Sequence, residues 1–60
     1  MDDEVYVFVV YFLDSKGFKK TMAIYDVDTV DECKKMFYKY EKKSVIKKIK
    51  RMSEYDYKHL

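Results

Sequence analysis

The chain has no proline and no tryptophan, and one glycine, one cysteine and one histidine in 60 residues. Each scarcity removes a class of protein. A lone Cys33 excludes an internal disulfide and any cysteine-based zinc site, and it reads as a small buried hydrophobe. A lone Gly17 leaves no glycine-rich loop to cradle a phosphate. The lone histidine, His59, is next to last, where chains fray. No His, Cys or carboxylate set stands at ligand or catalytic spacing, so neither an enzyme nor a resident cofactor is expected. Asp26, Asp28 and Asp31 cluster and would be the one place for a divalent metal, but a loop followed by helix-cap acids explains them, and no metal is expected. No apolar run reaches the ~18 residues of a membrane span. The N-terminus is acidic where a secretion signal would be basic, so the expectation is a cytoplasmic protein with no membrane partner.

What the chain does have is one uninterrupted apolar run, VYVFVVYFL, from Val5 to Leu13. β-Branched and aromatic residues in so short a run specify a strand. Side chains alternate across a strand, which puts Tyr6, Phe8, Val10 and Phe12 on one face and Val5, Val7, Val9, Tyr11 and Leu13 on the other. Both faces are apolar. A strand with one wet face would alternate apolar with polar, so both sides of this one require a cover. Sixty residues supply material for about one covering layer, and a domain of this size is marginal without added support.

The run stops at Asp14-Ser15-Lys16-Gly17, a type I turn closed by a glycine bulge. A second strand over residues 18–26 returns along the first, with Val10 opposite Met22 and Phe8 opposite Ile24. A helix follows from Thr29 to Lys43. Thr29 and Glu32 form a capping box, and Val30, Cys33, Met36, Phe37, Tyr40 and Ser44 make its apolar stripe. Phe8, Val10, Ile24, Val30, Cys33 and Phe37 are the expected core. The segment SVIKKIKRM, residues 44–52, fits a strand and also fits a helix face through Val45, Ile46, Ile49 and Met52. A third strand is favoured, because a two-stranded hairpin is barely stable and the helix needs a platform. The expected fold class is therefore α+β: a single β-β-α-β domain over residues 1–60, with a three-stranded antiparallel sheet in the order 2-1-3 and one helix packed on one face. The tail from Ser53 to Leu60 reads as partly disordered or as a short terminal turn.

Function follows from the uncovered face. Exposed apolar patches mark interaction sites, and tyrosine is enriched at interface centres. Val7, Val9, Tyr11, Ala23 and Tyr25 are the expected partner or self-association face, covered by a second copy in a homodimer, by another protein, or by the tail. The net charge is only +2, but its signs are segregated: acids gather over residues 2–4 and 26–32, lysines from Lys34 to Arg51. Lys42, Lys43, Lys47, Lys48, Lys50 and Arg51, near tyrosines, give the alternative of a nucleic-acid contact. Lysine, tyrosine, phenylalanine and isoleucine usage matches AT-rich coding, as in short phage and mobile-element genes of low-GC bacteria. A non-enzymatic interaction module that modulates or inhibits a host protein is the role that origin suggests.

Overall fold

The structure, a computed structural model, describes residues 4–60. It contains strands β1 (Tyr6–Leu13), β2 (Lys19–Ile24) and β3 (Val45–Ser53), and helices α1 (Val30–Tyr40) and α2 (Glu54–Lys58). The three strands form one antiparallel sheet in the order β2-β1-β3, with α1 against its front face. The fold is α+β, with the expected strand order.

The first turn is built as its residues dictate. Gly17 takes a φ of +87°, a left-handed conformation that glycine adopts at no steric cost. Its N–H donates to the Asp14 carbonyl at 2.9 Å, and the Asp14 N–H donates to the Phe18 carbonyl at 2.9 Å. One carboxylate oxygen of Asp14 accepts the N–H groups of both Lys16 and Phe18 at 2.9 Å. These bonds favour the ionised carboxylate, and together with Lys20 at 3.2 Å they hold Asp14 below the usual carboxylate range. The β1–β2 register sets Phe8 opposite Ile24 and Val10 opposite Met22, as expected.

Helix α1 begins where Thr29 caps it, accepting the Glu32 N–H at 3.1 Å. Glu32 reaches back one residue further than a standard capping box and accepts the Asp28 N–H at 3.0 Å. The helix ends at Tyr40, three residues short of the expected Lys43. Glu41 leaves helical geometry with φ −121° and ψ 74°, and its carboxylate accepts the Ser44 hydroxyl at 3.0 Å. That bond ties the turn before β3 and accounts for the burial of Ser44, which lies outside the helix.

Front-face packing unites Phe8, Val10 and Phe12 of β1 with Ile24, Cys33 and Phe37. The Phe12 and Phe37 rings meet edge to face at 4.9 Å. Val30, expected in the core, is 45% exposed. It sits in the first turn of α1, and Val27, in the loop before the helix, packs against the cluster instead. Tyr40, at the other end of the expected stripe, is also exposed.

Strand β3 resolves its own ambiguity with a bulge. The register slips between Tyr11 and Phe12, so that Lys48 opposes Tyr11 while Ile46 opposes Phe12 and Lys47 is the extra residue. Ile46 and Ile49, three residues apart, can then both pack against the front core. Without the bulge, alternation would send them to opposite faces.

A second small core lies behind the sheet. Val7, Val9 and Met52 are buried there, with Tyr11, Ala23 and Tyr57 packed against them. The tail residues form α2, whose cap is Ser53 accepting the Asp56 N–H at 3.0 Å. The Glu54 N–H donates to the Val5 carbonyl at 2.7 Å, and the Tyr25 hydroxyl donates to the Glu54 carboxylate at 2.6 Å. Both bonds hold α2 across the back of the sheet, where Tyr57 provides an apolar cover.

Candidate functional site

The back face is divided between two halves. Side chains directly opposite in an antiparallel pair share a face, so the register gives its rows: Met52 beside Val7, Lys50 beside Val9 and Ala23, Lys48 beside Tyr11 and Thr21. Leu13 continues the series between Val45 and Lys19. The end containing Val7 and Met52 is closed by α2. Among the described residues, no element covers the end containing Tyr11.

Of the five residues expected to meet a partner, Val7 and Val9 are thus buried within the chain, at 1% and 0% exposure. Tyr11 and Ala23 are half-buried, and Tyr25 is 41% exposed with its hydroxyl engaged by Glu54. That bond favours the protonated phenol and raises the Tyr25 pKa above the ordinary tyrosine value.

The basic run does not form one patch. Lys42 and Lys43 lie in the turn between α1 and β3, beside Asp14, Lys16 and Tyr40. Arg51 opposes Phe8 at the edge of the front face, with its guanidinium 4.4 Å from the Tyr6 ring centroid. Lys50, beside Val9, lies toward α2 near Tyr55 and Asp56, so of this run Lys48 and the bulged Lys47 border the open half of the back face. Lys48 places its ammonium 4.9 Å from the centroid of the Tyr11 ring.

Lys19, from β2, completes the border, a contribution hidden from a reading that looked only at the lysine-rich segment. Tyr11, Phe12, Leu13, Lys19, Lys20, Thr21 and Lys47 line a shallow depression at this end of the sheet, with no carboxylate among the described residues that line it. Its chemistry is an aromatic ring and a few apolar atoms inside a lysine border. That arrangement suits an anionic surface with an apolar centre.

The groups with potential chemistry lie elsewhere and apart. Cys33 is fully buried in the front core, and burial pushes its thiol pKa up, away from the reactive thiolate. His59 stacks on Tyr55 with ring centroids 4.1 Å apart, and its Nδ1 is 2.7 Å from the Tyr55 carbonyl oxygen. Among the described residues, Asp26, Asp28 and Asp31 do not come together as a group of ligands for one metal ion. Among the described residues, no helix is long and apolar enough to cross a membrane. Comparison with family models, with curated proteins and with solved structures finds no match.

Proposed function

We propose that this protein is a non-catalytic interaction module that docks an acidic protein surface on the open half of its back face. The supporting observation is the placement of Tyr11 beside Lys48, in a depression that Lys19 and Lys47 line and that has no carboxylate among the described residues lining it. An apolar, aromatic centre with a charged rim is the ordinary anatomy of a protein interface. The lysine rim favours a partner of opposite charge and speeds its approach. It opposes a second copy at this face, since two-fold pairing would set the Lys19, Lys47 and Lys48 borders of both copies against each other. In this reading the setting is the cytoplasm, where a lone thiol stays reduced, and the host-protein modulator suggested by the composition is the form the role takes.

A single nucleic-acid strand is the competing ligand, because lysines around an aromatic ring also suit phosphates and bases. The protein reading is favoured by the Tyr11 ring itself. Lys48 lies across its face, so the ring is not an open platform for a base.

Fluorescence anisotropy with a labelled glutamate-rich peptide containing leucine and phenylalanine, and with a labelled oligothymidylate, separates the two. Peptide binding should weaken on the order of tenfold in Lys48→Glu, because the reversed charge sets like against like across the rim. Lys35→Glu, at an exposed position of α1 on the other side of the sheet, should leave it unchanged. Tighter binding to the oligonucleotide than to the peptide, or equal loss in both variants, would contradict the proposal.

A further inference from the structure

The two edges of the sheet are unlike. The β3 edge carries Lys47, Lys48, Lys50 and Arg51 along its length, the usual guard against edge-to-edge pairing. The β2 edge is charged only at its start, with Lys19 and Lys20, and its remainder, Thr21 to Ile24, is uncharged. Hydrogen bonds in an antiparallel ladder alternate between the two sides of a strand. The bond from the Asp14 N–H to the Phe18 carbonyl fixes the phase of that alternation. Lys20, Met22 and Ile24 then face β1 with their backbone groups, while Thr21, Ala23 and Tyr25 present theirs outward.

Beside this edge runs an apolar groove between β2 and α1, lined by Met22, Ile24, Met36 and Tyr40. Tyr40 is 69% exposed there. Methionine and tyrosine at one open edge form an adaptable, apolar contact surface.

We infer that the β2 edge is a self-association surface, on which a second copy of this chain adds its own β2 antiparallel across a two-fold axis at Ala23. The pattern of the strand is complementary to itself. Centring the pair on Ala23 joins the outward backbone groups of Thr21 with those of the other copy's Tyr25, and Ala23 with Ala23. Side chains stay on matching faces: Met22 meets Ile24 on the front, and Thr21 meets Tyr25 on the back. Lys20 stays with Asp14 of its own chain at 3.2 Å, because Asp26, the residue next in register, has left the strand with a φ of +62°. No lysine faces a lysine in this register. The product is a six-stranded sheet in which the grooves beside the two β2 strands merge under Met36 and Tyr40. The acidic-partner reading is independent of this pairing, and the open halves of both back faces remain uncovered by it.

Analytical ultracentrifugation over a concentration series, combined with amide hydrogen exchange, tests the pairing. The unmodified chain should dimerise, and the Thr21, Ala23 and Tyr25 amides should exchange more slowly as concentration rises, while the Ile49 amide, outward on the β3 edge, does not change. Ala23→Pro removes an N–H that β1 does not use, so it should give a folded monomer, with circular dichroism reporting the fold. A chain that stays monomeric at millimolar concentration would overturn the inference. So would a dimer in which the Ala23 amide keeps its dilute-solution exchange rate. The exchange readout stands even if Ala23→Pro fails to fold.

Discussion

Phe37 is the residue on which the front core turns. It is fully buried, it meets Phe12 edge to face, and it is the largest fully buried side chain in the described chain. Truncating such a ring costs about 3–5 kcal/mol, from lost transfer energy and the cavity left behind. A 60-residue domain has roughly 3–9 kcal/mol of stability in total. Phe37→Ala should therefore remove a large part of that stability, and a variant that melts within a few degrees of the unmodified chain would contradict the packing described. The residue was legible from the sequence because it stands at helical spacing from Cys33 and Tyr40. Val30 was misplaced for the same reason: periodicity identifies a stripe but not where the first turn of a helix overhangs its sheet. Tertiary geometry hands that position to Val27.

At the scale of elements, the hairpin, its register and the cap of α1 could be read directly. Asp14, Gly17, Thr29 and Glu32 each satisfy backbone groups within a few residues, so local sequence suffices. The β3 bulge could not be read, because Ile46 and Ile49 at a spacing of three look helical until Lys47 is set aside as the extra residue. The role of α2 was hidden too. Residues 53–60 have no clear period, and what fixes them is distant in sequence: Val5 through its carbonyl, and Tyr25 through the hydroxyl it donates to Glu54. This second bond makes a prediction with a definite sign. The folded Tyr25 pKa is raised, so the bond's contribution is complete below the unfolded tyrosine value, near pH 10. It is lost as pH rises through the folded value, where a phenolate would face the Glu54 carboxylate. Amide exchange across α2 should quicken above about pH 10 relative to β1. In Tyr25→Phe, α2 should already exchange faster at neutral pH and show no further alkaline step. An alkaline step unchanged in Tyr25→Phe would assign it to another group.

The whole molecule is organised by one strand whose two faces feed two cores. Phe8, Val10 and Phe12 point toward α1, while Val7 and Val9 point toward Tyr57 and Met52. The demand for a second cover is evident in the composition of β1, but the sequence points first to a second copy of the chain, whereas Val7 and Val9 are covered by Tyr57 of the tail, a segment with no period to announce it. The tail covers about half of the back face, and the remainder shows Tyr11 within its lysine border. The basic turn at Lys42 and Lys43 lies beside Asp14 and Glu41, and the edge at Arg51 lies beside Glu4 and Asp56. Folding thus divides one charge run among three places, and among the described residues the one at Tyr11 joins cation and aromatic ring without a carboxylate in its lining. That division locates the proposed function, and a residue-resolved map of binding examines it most directly. Two-dimensional NMR of the labelled chain, titrated with the glutamate-rich peptide, should show shift changes centred on Tyr11, Lys19, Thr21 and Lys48, larger than those at the turn of Lys42 and Lys43, with α1 unmoved. Changes centred on that turn or on α1, or none at all at saturating peptide, would contradict the assignment of the open back face as the binding surface.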